Sequence, residues 1–141
     1  MTRVTILGST GSIGESTLEV IRQSKGELKV VGLSAHKNKI KLEEQAREFN
    51  VKNILVSFEN ENGLIDLATD ENTDVVVIAI VGFAALKPTL EAIRAGKRVA
   101  LANKEALVTC GELLTFEAKK SGAQIIPVDK ALGVNQNVYF L

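Results

Sequence analysis

The 141-residue chain contains one cysteine, one histidine and one tyrosine, and its charges cancel, 17 basic against 17 acidic. Each shortage removes a class of function. A lone Cys110 forms no internal disulfide and suits a reducing, cytoplasmic setting. A lone His36 excludes a multi-histidine metal centre. No basic excess is available to neutralise a run of phosphates, which argues against nucleic acid as the main partner. The apolar runs are strand-sized, far short of the roughly 18 residues needed to cross a bilayer, so no membrane partner is expected. The opening Met1-Thr2-Arg3 leads straight into a strand pattern and reads as neither a signal nor a transit peptide. The length suits one domain with a single real core.

What the chain does have is regular punctuation. Strand patterns fall at 3–7, 28–34, 52–57, 74–81, 97–102 and 123–127. The fourth, Val75-Val76-Val77-Ile78-Ala79-Ile80-Val81, is continuously apolar, as expected for a central parallel strand covered on both faces. Helix stripes lie between them: Ile13, Thr17, Val20 and Ile21; then Leu42, Ala46 and Phe49. Pro88 fits the first turn of a helix that carries Leu90 and Ile93 inward and stops at Gly96. Leu107, Cys110, Gly111, Leu114 and Ala118 form another stripe, ended by Gly122, which makes Cys110 a small core residue rather than a nucleophile. From Glu59 to Asp74 only Leu64, Ile65 and Leu67 offer apolar anchors, so either one short helix or a solvated loop fits there. Alternation of strand and helix with right-handed crossovers predicts an α/β fold, a Rossmann-type doubly wound, mostly parallel sheet in one domain, in the order 3-2-1-4-5-6.

The most informative local feature is Gly8-Ser9-Thr10-Gly11-Ser12-Ile13-Gly14, set between the first strand and the first helix. A loop so placed aims backbone N–H groups and the positive end of the helix dipole at an anion above it. Small residues let a pyrophosphate approach the backbone, and the last glycine lets helix and strand pack closely. This is an expanded variant of G-x-G-x-x-G, with Ser9 in the first glycine's place; a tight turn without a ligand is the competing reading.

The end of the second strand points to the cofactor. An NAD-preferring site places Asp or Glu there for the ribose 2′-hydroxyl. Here Ser34-Ala35-His36-Lys37-Asn38-Lys39 has no carboxylate until Glu43, and its hydroxyl, imidazole, amide and ammonium groups suit a 2′-phosphate. Two charge-assisted contacts there favour NADPH over NADH by roughly tenfold to a thousandfold. The alternative is a solvated basic turn.

Two further segments carry a resemblance: Ala79-Ile80-Val81-Gly82-Phe83-Ala84-Ala85-Leu86-Lys87-Pro88-Thr89-Leu90 with its continuation to Lys97, and Leu101-Ala102-Asn103-Lys104-Glu105-Ala106-Leu107-Val108-Thr109-Cys110-Gly111. With the Gly8–Gly14 loop and Ile125-Ile126-Pro127-Val128-Asp129, they resemble the N-terminal NADPH-binding domain of the 1-deoxy-D-xylulose 5-phosphate reductoisomerase family over residues 1–129. The stretch from Glu59 to Thr73 is shorter and more divergent than usual for that family. The family rearranges a phosphorylated sugar on magnesium or manganese and reduces the resulting aldehyde with NADPH, giving 2-C-methyl-D-erythritol 4-phosphate for isoprenoid synthesis. The resemblance implies that Gly8, Thr10, Gly11, Ser12, Ile13 and Gly14 form the phosphate loop and that Lys37 and Asn38 take the 2′-phosphate end. His36 stands where many members have glycine. The resemblance further implies cofactor contacts from Asn103 and Glu105, substrate binding by Lys104 and metal ligation by Asp129. From the residues alone, Lys104 and Glu105 are equally a ligand site at the carboxyl edge of the sheet or an ion-paired helix start.

The pattern departs directly after Asp129. The family continues with serine, glutamate and histidine, whereas this chain reads Lys130-Ala131-Leu132-Gly133-Val134-Asn135 and runs to Leu141. Magnesium or manganese wants about six oxygen ligands, and one aspartate beside a lysine does not make such a site. The expectation is a cofactor domain over 1–129 without its catalytic half, inactive by itself, and an atypical tail over 130–141. Val138-Tyr139-Phe140-Leu141 reads as a further strand through which a homodimer could form. A non-enzymatic NADP(H)-responsive binding module is the alternative from another class. A short-chain dehydrogenase needs a tyrosine with a lysine four residues later, and Tyr139 has none. A homoserine-dehydrogenase-like reading shares the Asn-Lys run and equally lacks a catalytic domain.

Overall fold

Uninterrupted apolar strands demand cover on both faces, and the fold supplies it. The computed structural model describes residues 1–102 and 104–127, with backbone alone for 104–108 and 127. The elements follow the chain as β1 (Thr2–Leu7), α1 (Ser12–Gln23), β2 (Leu28–Ala35), α2 (Lys39–Phe49), β3 (Asn53–Val56), α3 (Gly63–Thr69), β4 (Val75–Ile78), α4 (Leu86–Arg94), β5 (Arg98–Leu101), α5 (Lys104–Ser121) and β6 (Gln124–Pro127). The strands form one six-stranded sheet ordered β3-β2-β1-β4-β5-β6, and every neighbouring pair is parallel. The expected fold class and strand order are both observed.

The period-two alternation of strand side chains sorts the core into two layers. Val75 and Val77 of β4 join Val4, Ile6, Leu18 and Leu42 beneath α1 and α2. Val76 and Ile78 point the other way and join Leu64, Leu67, Ile93 and Leu114 beneath α3, α4 and α5. All four β4 side chains are fully buried. Burial of each such aliphatic side chain contributes roughly 1.5–3 kcal/mol relative to leaving it in water.

Three elements differ from the pattern reading or resolve it. The apolar run 74–81 yields a strand only over Val75–Ile78, because ladder partners end with Leu7 on one side and Leu101 on the other. Beyond it Val81 is exposed, and the chain turns through Gly82 into a 3-10 turn at Phe83–Ala85. Between Glu59 and Asp74 the helix forms, since Leu64, Leu67 and Ala68 seal the second layer. The stripe over 107–118 lies on a helix that is kinked at Cys110, whose φ of −126° and ψ of 19° are non-helical directly before Gly111. Cys110 is half-buried beside the second layer, and Leu114 is fully buried there. The further strand expected over 138–141 lies outside the described residues.

Candidate nucleotide-binding site

β1 and β4 are adjacent, while the helices that follow them lie on opposite faces, so a crevice opens above their carboxyl ends. The β1–α1 loop forms its floor. Gly8 has φ +90°, and a side chain there would stand 2.8 Å from the Ala79 carbonyl oxygen. Its N–H donates to the Ser34 carbonyl at 3.1 Å and to the Ser34 hydroxyl at 3.0 Å. The Ser9 N–H donates to the same carbonyl at 2.8 Å.

A second set of bonds braces the loop from behind. The buried Ser9 hydroxyl donates to Gln45 Oε1 at 2.7 Å, and Gln45 Nε2 donates to the Ser9 carbonyl at 3.0 Å and to Glu15 Oε1 at 2.7 Å. Lys41 Nζ donates to the Thr10 carbonyl and pairs with Glu15 Oε1, both at 3.0 Å. The loop's carbonyls are thereby held from the α2 side. At the helix start, Gly11 is the N-cap and no side chain caps it. The first-turn N–H groups of Ser12, Ile13 and Gly14 have no intrahelical acceptor and stand as anion donors. Gly14 permits this geometry. A Cβ there would lie 2.3 Å from the Gly8 carbonyl oxygen and 2.5 Å from Ser9 Cα. The close contact is with the loop itself rather than with the body of the strand.

At the end of β2, His36, Lys37 and Asn38 are all exposed. Asn38 caps α2, its side-chain oxygen accepting from Lys41 N at 3.1 Å, so its amide nitrogen is left as the donor. The ring of Phe58 sits between the other two. Lys37 Nζ lies 4.6 Å from its centroid, and His36 meets it edge-on at 5.7 Å and 85°. Phe58 is set there by the Ser57 N–H on the Ala35 carbonyl at 2.8 Å and its own N–H on the His36 carbonyl at 2.9 Å.

Together these segments wall a cleft of about 720 Å³. Gly8, Thr10 and Gly11 line one side, and His36, Phe58 and Glu61 another. Ile80, Val81 and Ala84, the apolar surplus beyond β4, line the third. Polar backbone on one wall and apolar surface opposite suit the diphosphate and the base of a dinucleotide.

The structure thus brings Gly8, Thr10 and Gly11 to one cleft, with Ser12, Ile13 and Gly14 in the helix turn beneath it and Lys37 and Asn38 on the turn beyond β2. Lys104 and Glu105 open α5 directly after β5, at the same carboxyl edge of the sheet. Asn103 and Asp129 lie outside the described residues. Among the described residues no group of three His, Cys, Asp or Glu side chains could hold a metal ion. Sequence reasoning missed Lys41, Gln45 and Phe58, and it offered the Ser34 hydroxyl to the 2′-phosphate, whereas Ser34 is buried and that hydroxyl accepts from the Gly8 N–H within the loop. Gln45 alone left a trace, as a polar residue on the buried side of α2 between Leu42 and Ala46.

A doubly wound sheet in this order, with a small-residue loop opening α1 at the crevice between β1 and β4, defines a Rossmann-type nucleotide-binding domain. The sequence model of 1-deoxy-D-xylulose 5-phosphate reductoisomerase matches residues 4–63 and 56–111. The chain belongs to that family. The reductoisomerase of Actinobacillus pleuropneumoniae serotype 5b (strain L20) is 45% identical over 152 residues, covering 92% of this chain and 38% of the relative. The Zymomonas mobilis enzyme, solved in complex with NADPH, superposes with a TM-score of 0.82 at 35% identity, covering 91% of this chain and 39% of that one. A reductoisomerase solved with NADPH, fosmidomycin and magnesium gives 0.84 at 40% identity, covering 94% and 37%. The chain therefore spans little more than a third of the length of the relatives it matches, and it corresponds to their N-terminal domain.

Proposed function

We propose that this chain binds NADPH as the cofactor domain of a 1-deoxy-D-xylulose 5-phosphate reductoisomerase. The observation that carries the reading is the uncapped first turn of α1 beneath a small-residue loop, braced by Ser34, Lys41 and Gln45 and open to the cleft. Thr10, Gly11, Ser12 and Ile13 hold the diphosphate through backbone N–H groups. Lys37 and Asn38 take the 2′-phosphate. Asn103 and Glu105 are assigned to the cofactor near its nicotinamide, and Lys104 to the sugar phosphate. NADPH supplies the hydride for the reduction. Asp129 is proposed as one ligand of the magnesium or manganese ion that the family uses. The donors among the described residues make no complete site for that ion. The 141-residue chain by itself is expected to bind nucleotide without turnover. A cytoplasmic location suits its single thiol, and association into a homodimer through 138–141 is to be judged by sedimentation, where a monomer at high concentration would overturn it.

Calorimetric titration with NADPH and NADH, with and without manganese, tests the reading. NADPH bound more tightly than NADH, with manganese making no difference, supports it; binding of neither overturns it. Lys37→Glu sharpens the result. It places a carboxylate where the 2′-phosphate is proposed to sit and should cost NADPH roughly tenfold to a hundredfold in affinity while leaving NADH within about twofold. Equal losses would remove the 2′-phosphate assignment.

A further inference from the structure

Phe58 is 65% exposed and belongs to neither core layer, so packing does not explain its position. Its backbone is nonetheless fixed by hydrogen bonds to the end of β2 on either side of it: Ser57 N–H to Ala35 and Phe58 N–H to His36. Its side chain is held as well, with the His36 ring in T-shaped contact at 5.7 Å and the Lys37 ammonium over its face at 4.6 Å. An exposed lysine loses considerable rotamer freedom when it binds an anion. A ring that already seats the ammonium reduces that loss and leaves the outward N–H donors to the anion.

We propose that Phe58 is a specificity-determining residue for the nucleotide, seating Lys37 beside the cleft so that a dinucleotide carrying a 2′-phosphate is preferred over one with a free 2′-hydroxyl. The proposal rests on the NADPH reading of the cleft. Phe58 acts through Lys37 and is a positioning residue. Its effect falls on the charged phosphate and not on the adenine or the diphosphate, which are common to both nucleotides.

The test titrates the chain with NADPH and NADH, and with 2′,5′-ADP and 5′-AMP as fragment probes. Phe58→Leu keeps an apolar side chain but has no aromatic face. It should weaken NADPH and 2′,5′-ADP about two- to fivefold more than it weakens NADH and 5′-AMP. Phe58→Tyr should restore the preference. In a Lys37→Met background Phe58→Leu should shift the preference no further, since the ammonium it seats is gone. Equal weakening of both nucleotides would make Phe58 an ordinary wall of the adenine cleft and overturn the proposal. So would full additivity with Lys37→Met. If the unsubstituted chain binds none of the four ligands, the cofactor reading falls and this one with it. Unsubstituted binding with indifferent Phe58 variants overturns this proposal alone.

Discussion

The two ends of the sheet both open into clefts, about 720 Å³ at the carboxyl edge and about 420 Å³ at the amino edge. They spend their polar groups differently. At the amino edge Arg3 grips Asp74 through Nε at 3.0 Å and Nη2 at 2.9 Å, and its backbone N–H adds a third bond to the same carboxylate at 2.8 Å. Lys97 Nζ is taken by the carbonyls of Asp70 and Thr73, at 2.6 and 2.7 Å. Those cations are consumed in tying the loop before β4 to β1 and β5. At the carboxyl edge Ser34 accepts from the N–H groups of Gly8 and Ser9, Lys41 and Gln45 hold the Thr10 and Ser9 carbonyls, and Gln45 accepts from the Ser9 hydroxyl, while the first-turn N–H groups of α1 stay free. Volume alone does not mark a ligand site. Fixed donors with no internal acceptor, set under a small-residue loop at the sheet's carboxyl edge, are what the proposed nucleotide site rests on.

The sharpest way to break the comparison is to damage the carboxyl edge in two ways that differ only in space. Gly14→Val puts a branched side chain where even a Cβ lies 2.3 Å from a backbone oxygen. It should cost about 3 kcal/mol or more of stability and abolish nucleotide binding, read by thermal unfolding and calorimetry together. Gly11→Ala is the gentler counterpart. Its added Cβ meets only the Gly8 carbonyl oxygen at 3.8 Å, and its φ of −80° suits any residue. Stability should move by less than about 1 kcal/mol, while a methyl on the approach to the diphosphate weakens NADPH roughly tenfold or more. Normal binding by Gly11→Ala would mean the diphosphate lies elsewhere.

The same contrast explains what the sequence disclosed. The Gly8–Gly14 loop and the strand order were legible because they rest on local punctuation: a strand pattern, small residues, a helix start. Gln45 and Lys41 were not, because what they brace lies more than 30 residues away in the chain and their own segment reads as an ordinary amphipathic helix. Asn38 was read as a ligand contact, yet it also caps α2, a role only the helix boundary exposes. Phe58 follows a short strand in a polar stretch, where no periodicity singles it out. The run 79–81 misled for a physical reason. Apolar residues that line a cleft and apolar residues of a strand look alike until the neighbouring strands are seen to end.

The amino edge offers the smallest and most contrasting effect, because its ion pair should matter to folding and not to nucleotide. The Asp74 carboxyl is held at about 2, below its usual 3.8, first by the hydrogen bond from the Arg3 side chain and next by the Arg3 backbone N–H. Between those two values the unfolded chain binds the proton more readily than the folded one, so stability falls as the pH drops through that window. Above about pH 5 the contribution is complete; near pH 2 it is mostly gone. Both partners are more than a third exposed, and solvent holds the effect to about 1 kcal/mol. Asp74→Asn should therefore flatten the acid limb of the stability curve by that amount and leave the NADPH affinity at pH 7 unchanged. A loss of affinity in Asp74→Asn would show that the two edges of the sheet are coupled, and that the division between spent and unspent donors does not separate structure from function in this domain.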